Sequence, residues 1–196
     1  MPWEKSFDEE ATLDRAMQVF WEKGFESTSI TDLIEGTGIN RGSLYNAYGG
    51  KQPLFVRALL KYDRDKRGAL LARLEALDNP KQAICEFFDG LVTEAQADKE
   101  KKGCFLINTA SELYAHDQEV HDIISSGLRE VEAFFRRSIE VGQARGDIPK
   151  DLDAENTAKT LLGSLVAIRV LGRGVFTEPA LQILANEAKQ SISKSG

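Results

Sequence analysis

Apolar residues recur at helical spacing along almost the whole chain. Leu13, Ala16, Met17 and Phe20 form the first stripe, and Gly24 follows as a helix stop. Ahead of them "SFDE" reads as a capping box, in which Ser6 accepts from the Glu9 amide and Glu9 reaches back to the Ser6 amide. Ser29, with Asp32 three residues on, starts a second helix, which "EGTG" breaks at Gly36 to Gly38. Asn40 caps a third helix that runs to about Tyr48, and the Gly49–Gly50 pair ends it. Pro53 suits the first turn of a fourth, "KQPLFVRALLKYDRDKRGALLARLEAL", whose length suggests a rod joining two halves. Asn79 as cap and Pro80 at the first helical position open a fifth, and four more periodic segments follow. No stretch reads convincingly as a strand, and there is no internal repeat or low-complexity tract. The pattern predicts an all-α fold of about nine helices, three short ones in front and longer ones behind.

Composition narrows the picture. With 42% hydrophobic and 29% charged residues, the 196-residue chain has enough apolar material for a packed core. No segment reaches the roughly 18 apolar residues of a membrane span, and "TLLGSLVAIRVL" is interrupted by Arg169. The N-terminus, "MPWEKSFDEE", is acidic where a signal peptide would be basic and then apolar, so a cytoplasmic location with no membrane partner is expected. Cys85 and Cys104 make neither a disulfide framework nor a closely spaced metal-ligand pair. The net charge of −6 hides a local excess: residues 41–67 hold seven cations against two carboxylates, a net +5 that leaves the rest at −11.

That cationic stretch begins inside a motif. A short helix, a glycine-containing turn and a second short helix over residues 29–48 have the form of a helix-turn-helix. With Leu44 and Tyr48 on the buried face of the second helix, Gly42 and Asn46 point away, Ser43 and Tyr45 flank them, and Arg41 stands at the N-terminus. These residue types suit DNA. Arginine offers a fork to guanine, asparagine pairs with adenine, serine serves base or phosphate, and glycine lets backbone approach the groove. Tyr45 and Lys51 are candidate phosphate clamps, and Ser29 and Thr31, opening the preceding helix, complete the DNA-contact set. Pattern alone leaves a short amphipathic helix without such a role open.

The stretch "AMQVFWEKGFESTSITDLIEGTGINRGSLYNAYGGKQPLFVRALL" resembles the N-terminal domain of the TetR family of transcriptional regulators over residues 7 to about 60. Ala47 departs from the family pattern where a tyrosine or histidine often contacts phosphate, Tyr48 replaces the usual phenylalanine, and Gly50 replaces a serine or acidic cap. The resemblance implies a DNA-binding domain at 1–50 and a helical effector-binding and dimerisation domain at 51–196. It further implies a homodimer on palindromic double-stranded operator DNA, usually as a repressor, released by a small-molecule effector and needing no cofactor. Two apolar stripes are compatible with the dimer, Leu161, Leu165 and Ile168 on one helix and Leu181, Leu184 and Ala188 on another, although both would equally serve the core of one subunit. Candidate effector contacts are Phe87, Phe88, Phe105, Asn108, Phe134 and Arg169, each of which also fits a plain core position.

Cys104 follows Lys101 and Lys102 at a helix start, where dipole and cations would favour a thiolate. It also resembles a cysteine of an electrophile-sensing branch of the family, so it is either a thiol-based redox or electrophile sensor or a small buried apolar residue. Rival readings find less support. No nucleophile elbow, zinc-protease helix or dinucleotide fingerprint is present, so an enzyme is not expected. His116 and His121 lie five apart beside Asp117, Glu119 and Asp122, a solvated helix start rather than a metal site. A helical interaction module without DNA binding leaves the local positive charge unexplained.

Overall fold

The computed structural model describes residues 7–193 and is all helical among them. α1 (Glu9–Lys23), α2 (Ile30–Thr37) and α3 (Arg41–Tyr48) form a compact head. α4 (Lys51–Tyr62), a π-helical stretch (Asp63–Gly68) and α5 (Ala69–Glu75) run on as one rod. α6 (Pro80–Ala97), α7 (Phe105–Ser111), α8 (Gln118–Arg145), α9 (Ala154–Leu171) and α10 (Glu178–Ser191) build the body. With the rod counted once, the described residues contain nine helices, as the apolar periodicity predicts.

Helix starts are set by local chemistry. Asp8 caps α1 by accepting from the Ala11 amide, so the helix begins two residues later than a Ser6 cap would place it; Ser6 itself lies outside the described residues. The capping boxes and side-chain caps expected at Ser29, Asn40 and Asn79 are all formed. Gly38, at φ +75°, makes the left-handed turn between α2 and α3 that a side chain would resist. Gly36 has another reason to be small: a Cβ there would run into Val19 Cγ2, so the Val19 side chain of α1 packs directly on the backbone of α2.

Two apolar clusters result. The head cluster gathers Ala16, Phe20, Leu33, Leu44, Tyr48, Phe55 and Leu59, and it extends into the body through Phe105, Val120 and Ile124. The body cluster lies between α6, α8, α9 and α10, with Phe88, Phe134, Phe135 and Ile139 at its centre. Packing therefore continues past residue 50, because α4 from Leu54 to Tyr62 belongs to the head's core. The five residues of the π stretch before Gly68 are all charged, and the i,i+4 pairs Lys61–Asp65 and Arg67–Asp63 clamp it. No helix among the described residues is long and apolar enough to cross a membrane.

Candidate DNA interface and effector cavity

α3 is the part of the head that leaves polar side chains outside the packing. Leu44 and Tyr48 are buried beneath it, and the Tyr48 hydroxyl donates to the Glu9 carbonyl at 3.2 Å. That bond accommodates tyrosine where phenylalanine is usual, since a buried hydroxyl needs a partner. Arg57 lies 5.4 Å from the Tyr48 ring centre and donates to the Ala47 carbonyl at 3.4 Å, tying the end of α3 to the rod. On the opposite face Arg41, Gly42, Tyr45 and Asn46 are exposed, and Arg41 enters no ion pair among the described residues. Ser43 is half-buried, with its amide held by the Asn40 cap at 2.8 Å.

Other expected contacts are more engaged. Ser29 is bound into the α2 cap, where its amide and hydroxyl both meet Asp32 Oδ2 at 2.7 Å, while Thr31 is exposed. Lys23 and the Ser29 donors hold the Asp32 carboxyl well below the usual carboxylate range. Lys51 sits 4.4 Å over the Phe25 ring and reaches the Glu26 carbonyl at 3.3 Å, so it fastens the α1–α2 loop rather than standing free as a clamp. Gly50 precedes it at φ +131° with no side-chain cap on α4, a conformation that the serine or acidic residue usual there would resist.

The local +5 is smaller in space than along the chain. Glu10 and Asp14 of α1 lie 3.4 and 3.0 Å from Lys61, and Arg67 pairs with Asp63 and with Glu130 of α8. The fold brings carboxylates that a sequence window leaves out. On the outer face of α3 the exposed cation is Arg41.

A cavity of about 440 Å³ opens where head meets body. Of the expected effector contacts Phe87, Cys104 and Arg169 line it. Phe88 and Phe134 instead pack against Phe135 in the body core, and Phe105 fits edge-on against Phe55 and Tyr62 in the head cluster. Asn108 serves the loop before α7: it donates to the Lys102 carbonyl at 2.7 Å and accepts from Arg173 at 3.1 Å. Helical periodicity marks all four as inward, and inward positions mostly meet other helices. Trp21, Tyr62, Leu91 and Leu165 also line the cavity; only long-range packing brings Trp21, on the first helix, to a wall shared with α9.

Cys104 is half-buried in this wall as the N-cap residue of α7. Its cationic neighbour is not the preceding lysines, because Lys102 turns to Glu22 and Glu100 at 2.7 and 2.8 Å. Arg169 lines the same cavity and is itself paired with Glu94 at 2.6 Å. Tyr62 lines the same wall, and burial pushes its phenol well up, so it remains protonated.

The structure also places the apolar stripes and the histidines at the start of α8. Leu161, Leu165, Ile168, Leu181 and Ala188 are buried within the chain, and Leu184 is half-buried. An apolar stripe facing a neighbouring helix has the same period as one facing a second copy, so the sequence did not separate them. The apolar residues left exposed near these helices are Val170, Val175, Phe176 and Ile183. His116 is half-buried rather than fully solvated: its ring stacks on Phe55 at 5.2 Å, packs beside Phe25 at 5.2 Å, and leaves Nδ1 buried without a partner. Asp117 is the cap of α8, and no metal-holding cluster forms among the described residues.

The surroundings of these two sites match known regulators. The profile of "Bacterial regulatory proteins, tetR family" fits residues 13–58, and that of "Tetracyclin repressor-like, C-terminal domain" fits residues 80–174. The HTH-type transcriptional regulator YezE of Bacillus subtilis is 33% identical over 170 residues, 86% of this chain and 88% of that protein. The HTH-type transcriptional repressor ComR of Escherichia coli is 31% identical over 184 residues, 91% of this chain and 86% of that one. A cysteine mutant of the TetR family regulator CifR, complexed with 26-base-pair operator DNA, superposes with a TM-score of 0.82 at 27% identity, covering 94% and 96% of the two chains. The chain thus belongs to the TetR family of helix-turn-helix transcriptional regulators, not to an enzyme family.

Proposed function

We propose that this regulator is a homodimeric repressor that leaves a palindromic operator when a small molecule fills the junction cavity. DNA reading is assigned to residues 1–50, effector binding and dimerisation to 51–196, and the place of action to the cytoplasm. The observation that carries the reading is the outer face of α3, where Arg41, Gly42, Tyr45 and Asn46 are exposed. Arg41 and Asn46 are the base readers, Gly42 and Ser43 admit the helix to the groove, and Tyr45 meets phosphate, with smaller parts for Ser29, Thr31 and Lys51. ComR is named a repressor and CifR is solved on operator DNA, which supports the same role here. The second copy is placed on the exposed Val170, Val175, Phe176 and Ile183, so that a two-fold axis sets two α3 helices on successive half-sites.

Duplexes selected from random DNA by the full chain test this. A palindromic consensus bound with a steep inverse salt dependence is the expected result. Retention of no duplex would leave a helical interaction module as the better account. Sedimentation should give a dimer, and Ile183→Asp a monomer of unchanged helicity.

A second reading has its own observation: Cys104 faces the cavity beside Tyr62 and Arg169. Sensing then runs through thiol modification. N-ethylmaleimide should release the selected duplex from the wild type and not from Cys104→Ser; equal release from both removes the idea.

A further inference from the structure

The cavity borrows a wall from the head. Trp21 of α1 lines it, and the indole N–H donates to the carbonyl of Lys102 at 3.2 Å. Lys102 belongs to the strap of residues 98–104 between α6 and α7, whose Asp98, Lys102, Gly103 and Cys104 form part of the same lining. The Lys102 ammonium reaches Glu22 at 2.7 Å and Gln18 at 3.3 Å, so one residue of the strap is gripped by three successive positions on one face of α1. The other side of the strap is held by the body: Arg173 donates to the Lys101 carbonyl at 3.1 Å, and Asn108 to the Lys102 carbonyl at 2.7 Å. Lys101 is the one described residue other than glycine with a positive φ, +57°, and the Asp98 carboxylate accepts from the Gly103 amide at 2.7 Å. The strap is a taut, polar bridge from the cavity to the helix that supports α2 and α4.

The half-buried cations around the cavity are already matched. Arg169 is held by Glu94, Arg67 by Asp63 and Glu130, and Lys102 by Glu22 and Glu100. Lys66, the remaining cation of the lining, is an exposed residue. The rest of the wall is mainly apolar, with Phe87, Leu91, Val131, Leu165 and Ile168. A charged ligand would give up water and find, among the described residues without an ion pair, only the exposed Lys66 and the Asp98 carboxylate that already holds the Gly103 amide.

We infer that the cavity takes an uncharged, largely apolar ligand, and that its occupancy reaches the reading head through the 98–104 strap and its grip on Gln18, Trp21 and Glu22. The inference rests on the reading of the protein as a ligand-responsive DNA-binding regulator. A ligand seated between Trp21 and the body helices competes for the space that keeps the indole on Lys102, so filled and empty cavities favour different positions of α1. Differential affinity of that kind is what couples two sites.

Two dyes with the same rings separate the alternatives: N-phenyl-1-naphthylamine, uncharged, and 8-anilinonaphthalene-1-sulfonate, which adds a sulfonate. In a Trp3→Phe background Trp21 is the sole tryptophan, so energy transfer from it reports a dye in the cavity. The uncharged dye should bind at least tenfold more tightly; equal or tighter binding of the sulfonate overturns the ligand class. Saturating N-phenyl-1-naphthylamine should weaken binding of the selected duplex by at least tenfold in the wild type. The double variant Gln18→Leu/Glu22→Leu, which leaves the cavity lining intact, should bind the dye alike and lose most of that response. Trp21→Phe, which keeps the aromatic wall but lacks the donor, should lose it too. A full response in both variants, or none in the wild type, overturns the relay. If no duplex is ever retained, it is the DNA-binding reading that fails. Hydrogen exchange then still decides the relay: the dye must speed exchange of α1 amides in the wild type but not in the double variant.

Discussion

The two ends of the α4–α5 rod are held by different means. At one end α2 and α3 have eight residues each, too few to be stable as isolated helices, and each is closed by a cap from its own sequence over two buried side chains. At the other, helices of up to 28 residues interlock through their inward faces. The head therefore keeps its proposed base readers out of the packing, with Arg41 and Asn46 exposed on a scaffold built from other residues. The body makes its site from what packing leaves unfilled, so cavity residues such as Phe87 and Leu165 are also core residues. One region separates function from stability, and the other combines them.

The largest effect should come where the regions meet. Phe55 is 1% exposed and packs edge-on against both Phe20 and Phe105, joining the head's core to the body. Phe55→Ala should cost about 3–5 kcal/mol and lower a single melting transition seen alike by circular dichroism and tryptophan fluorescence. Two separate transitions, with only one shifted, would mean that head and body fold independently and that the comparison is drawn too weakly. Next in size, Arg41→Ala should cost about 1–3 kcal/mol of DNA affinity and relax sequence preference at one position per half-site, with melting unchanged. A loss of stability in that variant would contradict the separation of roles in the head.

Asn40→Ala tests the scaffold beneath the reading face. Its side chain accepts the Ser43 amide at 2.8 Å, and removing it should cost about 1 kcal/mol of stability. DNA affinity should fall with it, since α3 starts from that cap. Unchanged denaturant midpoints would show that α3 is held by Leu44 and Tyr48 alone.

What could be read from the sequence follows the same division. Caps at Ser29, Asn40 and Asn79 and the turn glycine at Gly38 act within four residues, so local chemistry fixes the helix-turn-helix and the exposed face of α3. The body's stripes at Leu161–Ile168 and Leu181–Ala188 are periodic for any neighbour, and only three-dimensional packing turns them inward. Trp21 carries no sequence sign of a cavity wall, because its partner Lys102 lies 81 residues away. The π stretch was equally hidden: "DRDKRG" looks like a solvated helix face until Asp63 and Arg67 are seen clamped beside α8. Net charge misled for the same reason, with the carboxylates of α1 returning to Lys61 from some 50 residues away.

The smallest prediction concerns a second, quieter seam between the regions. His116 stacks on Phe55 with the rings nearly parallel, and Asp117 beside it accepts from Gln52 of α4 at 2.7 Å. Burial lowers the His116 pKa, against the attraction of Glu112, Glu26 and Asp117 and with a small push from His121. The folded state therefore prefers the neutral ring. Its contribution to stability is present above the unfolded value near 6.5 and is lost as pH falls from there through the lower folded value. One titrating group limits the slope to about 1.4 kcal/mol per pH unit. His116→Phe keeps the ring stack and removes both the titration and the unpartnered Nδ1. Urea midpoints between pH 7.5 and 5.5 should accordingly fall more steeply in the wild type than in His116→Phe. Parallel profiles would place the acid sensitivity in the surface carboxylates instead, and would leave the Trp21–Lys102 strap as the one seam that answers to its surroundings.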